Sequence, residues 1–138
     1  MKTLVAGAIA IAAMAFGAYA TAGGGDREIE ITINHSRFDA SKIKVDEGET
    51  VTFVVHNNDP IDHEFLIGDE DMQLVHEKGS EAHHGARPTE ISIPAGETRE
   101  TIVTFTERGA LAVADPLIFG CHLPGHYNYG MRGIIEVS

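Results

Sequence analysis

TVTFVVHN, at residues 50–57, is the strongest strand signal in the chain. Valine, threonine and phenylalanine favour extended structure, and the run ends in Asn57-Asn58-Asp59-Pro60, which is typical of a turn. Upstream, isoleucines fall at every second position between Glu28 and Asn34, the period of a half-buried strand. Ile43 and Val45 continue the alternation. The first half of the chain therefore predicts β-structure.

The second half of the chain repeats this pattern. Further strand-like segments lie at 63–67, 90–93, 100–105, 117–119 and 133–137. Seven or eight short strands without helical periodicity predict an all-β sandwich. The exception is the stretch 68–88, which is too long for an ordinary hairpin loop. Acidic residues at its start and Lys78-Gly79 further on predict a short helix near 70–78, followed by an irregular segment over 80–85.

The first 22 residues differ from the rest. Lys2 is the only charge before Asp26, an apolar run follows it, and small residues precede Ala20 and Ala22. This pattern predicts a signal peptide at 1–22, cleaved after Ala20 or Ala22, with one domain at 23–138. We expect a periplasmic or otherwise exported protein without stable membrane insertion; an uncleaved membrane anchor is the alternative.

The charge balance narrows the choice of partners. The chain has 10 Lys and Arg against 21 Asp and Glu, a net charge of −11. Such an acidic surface disfavours nucleic acid and anionic membranes. It either keeps an exported protein soluble or favours a redox partner with a basic docking surface. We expect a monomer that docks transiently.

A single cysteine in an exported protein needs an explanation, which burial, an intermolecular bridge, catalysis or metal ligation could each supply. Cys121, His126 and Met131 follow one another at intervals of five residues in a turn between two strands. His63 lies 58 residues before Cys121, where a turn meets a strand. Two imidazoles, a thiolate and a weak thioether form the blue-copper ligand set.

The segment Gly125-His126-Tyr127-Asn128-Tyr129-Gly130-Met131 resembles the Gly-His-x-x-x-Gly-Met ending of the cupredoxin superfamily. The gaps of four residues on either side of His126 resemble those of auracyanin and rusticyanin. The resemblance implies a Greek-key sandwich with one type 1 copper ion, Cu(I)/Cu(II), at one end. By resemblance, His63, Cys121 and His126 are its equatorial ligands and Met131 is its axial ligand.

The function implied is a one-electron carrier between exported or membrane-bound redox partners, and not an enzyme, because a lone mononuclear cupredoxin lacks further copper centres. His126 would then be the electron port, within an apolar patch of Leu123, Pro124 and Tyr127. The alternative is a copper-handling or tolerance protein that buffers copper. A structural zinc site and a Cys121–His126 nucleophile pair are rival uses of the same residues.

Two features remain open in the sequence. Many family members carry Asn or Ser after the first histidine, where the side chain ties the two ligand segments together, but here that position is Glu64. An ionised carboxylate there would favour Cu(II) and lower the reduction potential. His122 follows Cys121 directly, so we interpret it as a neighbour and not as a ligand.

A second, labile copper site within 68–88 is a further hypothesis. Met72 and His76 share one face of the predicted helix, and His83 and His84 follow. The alternative is a solvated acidic insertion in which Met72 and Leu74 pack on the sandwich.

Overall fold

The computed structural model describes residues 27–79, 89–106 and 116–138. The elements within these ranges are β1 (Arg27–Ile33), β2 (Lys42–Val45), β3 (Thr50–Asn57), β4 (His63–Gly68), α1 (Glu70–Glu77), β5 (Glu90–Ile93), β6 (Thr98–Thr104), β7 (Leu117–Gly120) and β8 (Arg132–Val137). The predicted strands and the short helix are confirmed. The predicted signal peptide at 1–22, and the segment 80–85 with His83 and His84, lie outside the described residues.

The strands form two sheets. The smaller sheet has the order β1-β3-β6, and the larger has the order β2-β8-β7-β4-β5. The pairs β1–β3 and β2–β8 are parallel, and the other pairs are antiparallel. Because β1 and β3 lie in one sheet while β2 and β4 lie in the other, the chain crosses repeatedly between the layers. This is the predicted β-sandwich.

Phenylalanines from both sheets meet in the core. Phe65 of β4 lies 5.4 Å from Phe53 of β3 and 5.7 Å from Phe119 of β7, measured between ring centroids. Both partners are fully buried, as is Phe65. Aromatic pairs at this spacing add about 0.5–1.5 kcal/mol each beyond the burial of their area. Cys121 and Met131 belong to the same buried cluster, so the predicted sulfur ligands lie against a well-packed core.

Strand β4 departs from the alternation expected of a half-buried strand, since all six of its residues are buried. α1 packs against the end of β4, where Met72 lies so close to Gly68 that a Cβ there would clash with its side chain. Leu74, by contrast, is 49% exposed, so only Met72 of the two residues expected to pack on the sandwich does so.

Local sequence explains where α1 begins and ends. Asp69 is the N-cap, and its carboxylate accepts the Met72 N–H at 2.8 Å. Lys78 caps the carboxyl end, and Gly79 follows at φ 149°, a conformation that favours glycine. Of the residues described, no helix is both long and apolar enough to cross a membrane.

Candidate metal centre

The predicted ligands lie at the ends of neighbouring strands. His63 is the first residue of β4, and Cys121 directly follows β7, which pairs with β4 in antiparallel register. His126 lies in the turns between β7 and β8, and Met131 directly precedes β8. Pairing between β4 and β7 therefore brings together residues that are 58 positions apart. Residues 121–131 are called the ligand loop below.

Two imidazole nitrogens converge on one sulfur. The Nδ1 of His63 lies 3.9 Å, and the Nδ1 of His126 lies 3.4 Å, from the Cys121 Sγ. All three atoms lie within 4.8 Å of one another. Metal–nitrogen and metal–sulfur bonds of about 2.0–2.3 Å fit between donors at these separations. His63 and Cys121 are fully buried, whereas His126 is half-buried.

Backbone hydrogen bonds hold Met131 to the other two predicted ligands in the ligand loop, Cys121 and His126. The Cys121 N–H donates to the Met131 carbonyl at 3.1 Å, and the Met131 N–H donates to the His126 carbonyl at 3.0 Å. The Met131 side chain is fully buried in the core cluster that contains Cys121. The loop is thus closed on itself before β8 begins.

Without a metal, the Cys121 thiol is protonated at neutral pH. Burial raises the pKa of the Cys121 thiol to about 11, and the charges of Glu64 and Glu77 add to this effect, against backbone N–H groups that lower it. Burial, followed by the nearby His63, lowers the pKa of His126 below its usual value. A metal that takes the thiolate must therefore displace a proton from Cys121.

Comparison with known proteins identifies the family. A family model for the cupredoxin-like domain matches residues 7–82, more than half of the chain. The copper-resistant cuproprotein CopI of Pseudomonas aeruginosa is 30% identical over 156 residues, covering 90% of this chain and 83% of the relative. This chain belongs to the cupredoxin-like family. The family match includes His63 and ends before the ligand loop, whereas the alignment with this relative covers most of the chain.

Further comparisons agree with this assignment. The CopI of Rubrivivax gelatinosus is 35% identical over 104 residues, covering 73% of this cupredoxin but only 59% of that relative, so the chain spans less than two thirds of it. Auracyanin B superposes with a TM-score of 0.66 at 16% identity, covering 84% of this chain and 91% of that one. Reduced auracyanin from Roseiflexus castenholzii superposes with a TM-score of 0.64 at 21% identity, covering 84% of this chain and 99% of that one. These structures establish the sandwich fold.

The Glu64 side chain connects the two segments that carry the predicted ligands, a connection that the sequence had left open. This residue is 3% exposed, and its Oε2 accepts the His122 backbone N–H at 3.3 Å. Its own backbone N–H donates to the Cys121 Sγ, also at 3.3 Å. In this cupredoxin a glutamate therefore connects β4 to the ligand loop, at the position where many members use Asn or Ser.

The His122 ring belongs to a hydrogen-bond network with α1. Its Nε2 lies 2.6 Å from the Gln73 Oε1, and its Nδ1 lies 2.9 Å from the Glu77 Oε2. The ring stacks on Tyr127 at 4.5 Å, and the other oxygen of Glu77 accepts from the Asn128 amide. Sequence reasoning did not find Gln73 or Glu77, because they contact the ligand loop across about fifty residues.

The predicted apolar patch around His126 is only partly exposed to solvent. Pro124 is exposed, and Leu123 is half-buried. Tyr127 is half-buried between the His122 ring and the Arg132 guanidinium, which lies 4.8 Å from its ring centre. Tyr129, which was not among the residues predicted for the patch, is 77% exposed.

Met72 and His76, two of the residues considered for a second copper site, have other contacts. The His76 Nδ1 lies 3.0 Å from the Met72 carbonyl, and its Nε2 lies 3.1 Å from the Glu90 Oε1. Within the described ranges, His63, Cys121 and His126 form the one group of three His, Cys or carboxylate side chains whose donor atoms lie this close. His83 and His84 lie outside those ranges.

Proposed function

We propose that this cupredoxin binds one copper ion through His63, Cys121 and His126, with Met131 as its weak fourth ligand. The observation that carries the proposal is the convergence of two imidazole nitrogens on a buried cysteine sulfur, at 3.4 and 3.9 Å. One thiolate with two imidazoles and a thioether suits copper in both oxidation states. Structural zinc sites favour a full set of cysteine and histidine ligands instead. Copper, when bound, supplies one-electron redox chemistry.

The physiological role that we propose is copper handling: the protein takes up copper outside the cytoplasm and holds it. Two arguments support this role. The curated relatives that match at 30% and 35% identity carry the name copper-resistant cuproprotein. In addition, three of the four proposed donor side chains are fully buried, which slows the exchange of a bound ion with solvent.

A deletion strain tests this role. We expect the strain to grow poorly at raised copper concentration and to respire or photosynthesise normally at low copper. A plasmid with the wild-type gene should restore growth, and one with Cys121→Ala should not. His56→Ala is the matched control, because the His56 ring bonds to Thr98 at 2.9 Å on β6, away from the site. Normal copper tolerance in the deletion strain would contradict the role.

One-electron transfer is the second candidate function. It is favoured by His126, which is half-buried and leads from the fully buried Cys121 toward the surface. The partner would be a redox protein with a basic docking surface, attracted by the net charge of −11. A respiratory or photosynthetic defect in the deletion strain, with normal copper tolerance, would support this candidate over copper handling.

Export is part of the proposal and is supported by the signal-like sequence at 1–22. We expect the mature protein in the periplasmic fraction, with a mass corresponding to cleavage after Ala20 or Ala22. Mass spectrometry of the purified protein measures this directly. Retention of residues 1–22 on a membrane-bound form would favour the anchor instead.

A further inference from the structure

A buried carboxylate lies directly behind one of the proposed ligands. The Asp59 Oδ2 is 2.8 Å from the Nε2 of His63, and these residues are 8% and 0% exposed. The opposite ring nitrogen of His63, Nδ1, faces the Cys121 Sγ. An ionised carboxylate can only accept a hydrogen bond, so the proton of His63 must lie on Nε2. The lone pair on Nδ1 is then free to bind a metal.

The backbone holds this carboxylate in place from a separate part of the chain. The His35 N–H donates to Asp59 Oδ1 and the Ser36 N–H donates to Oδ2, both at 2.7 Å. His35 and Ser36 each have φ 53°, and they are the non-glycine residues with positive φ in the part of the chain that the structure describes. Such a conformation is unfavourable for L-residues, and here it directs two successive N–H groups at one carboxylate.

Asn57 fixes the Asp59 backbone from the other side. Its Oδ1 accepts the Asp59 N–H at 3.0 Å, and its Nδ2 donates to the carbonyls of Ile61, in the turn before β4, and Ile93, at the end of β5. Burial alone would raise the pKa of Asp59, but the two backbone N–H groups and the His63 ring bring it below its usual value. Both carboxylate oxygens thus accept backbone hydrogen bonds, in a position that packing and hydrogen bonds determine.

We infer that Asp59 is a positioning residue for the metal: it fixes the tautomer and the orientation of His63 and strengthens its Nδ1 as a donor. The inference rests on the proposed copper site. A carboxylate that accepts from the far nitrogen of a ligating histidine raises the basicity of that ligand, and the loss of such a partner typically weakens metal binding by about 10–100-fold. A stronger nitrogen donor also favours Cu(II) over Cu(I). Asp59 thus serves retention of copper, the role proposed above.

Asp59→Asn tests this inference, with Asp62→Asn as the matched control. Asp62 is exposed and bonds to the Ala95 N–H, so its substitution removes the same charge close to His63 without touching the ring. We expect Asp59→Asn to bind Cu(II) about 10–100-fold more weakly, measured by competition with a chelator, and to have a more positive reduction potential. Asp62→Asn should match the wild type. Equal affinities and potentials in the two variants would overturn the inference.

NMR of the wild-type apoprotein keeps the inference testable if Asp59→Asn does not fold. We expect the ¹⁵N shifts of His63 to show the Nε2–H tautomer, with a slowly exchanging proton. A proton on Nδ1, or rapid exchange between the tautomers, would overturn the inference. Failure of the wild type to bind copper would instead contradict the proposed function, because the tautomer is measured without metal.

Discussion

Burial raises the pKa of the Cys121 thiol from an ordinary value of 9.0 to about 11, which makes the stability of the metal-free protein depend on pH. Below pH 9 the thiol is protonated in both the folded and the unfolded chain. Between pH 9 and 11 only the unfolded chain ionises, so the free energy of unfolding falls by about 2–3 kcal/mol. Urea denaturation at several pH values across this range measures the fall in the free energy of unfolding. In Cys121→Ala this fall should be smaller by about 2–3 kcal/mol. An equal loss in both proteins would contradict the prediction.

Glu64 contributes to this shift through its charge. Its carboxylate raises the pKa of the thiol, after the larger effect of burial. Glu64→Gln keeps an oxygen that accepts the His122 N–H and removes the charge. We therefore expect the pKa of Cys121 to be lower in Glu64→Gln than in the wild type, measured by thiolate absorbance in the apoprotein. An unchanged or higher pKa would show that the Glu64 charge does not act on the sulfur.

Some residues of the site are readable from sequence because their pattern is local. Cys121, His126 and Met131 follow one another at a spacing that resembles the family motif, and His63 stands at a turn–strand junction. Asp59 was assigned only to a turn, since its partners His35 and Ser36 lie 24 and 23 residues away. Contacts between such distant residues depend on tertiary packing, which a local pattern does not contain.

At the level of elements, α1 supports the ligand loop. The Gln73 side chain is 1% exposed; its Nε2 donates to the Ile118 carbonyl on β7 at 2.9 Å, while its Oε1 lies against His122. Gln73→Ala removes the hydrogen-bond partner of both the Ile118 carbonyl and the His122 ring. We therefore expect a loss of about 1–3 kcal/mol in the free energy of unfolding. Urea denaturation followed by circular dichroism measures it.

Leu74→Ala is the control for this prediction, because Leu74 lies on the same helix and is 49% exposed. Its substitution should change the free energy of unfolding by no more than about 0.5 kcal/mol. Equal effects of Gln73→Ala and Leu74→Ala would show that α1 does not stabilise the loop through the buried amide.

Element type was predictable where one face of an element decides it. The alternation in β1 and the capping residues of α1 are local signals, and the structure has both elements close to the predicted bounds. The complete burial of β4 could not be predicted from the sequence, because an alternating pattern assumes that one face of the strand is exposed to solvent. Instead, the Glu64 side chain is buried against His122 and Gly68 is buried against α1, contacts that the sequence does not encode locally.

For the whole molecule, copper should act as a stabilising ligand, since its donors come together only in the folded chain. A ligand at 100 times its Kd adds about 2.7 kcal/mol to the free energy of unfolding. For a domain of this size, Tm should rise on the order of 10 °C. Calorimetry with and without copper measures the shift, which His56→Ala should retain and Cys121→Ala should lose. The same Tm with and without copper would contradict the prediction.

The visible and paramagnetic resonance spectra after addition of one equivalent of Cu(II) test the copper site most directly. The wild type and His56→Ala should both show intense sulfur-to-copper charge transfer, because the Cys121 Sγ lies between two imidazole nitrogens at 3.4 and 3.9 Å. Cys121→Ala should lose that band. A wild-type spectrum without it, or an unchanged spectrum in Cys121→Ala, would contradict a copper centre built on this sulfur.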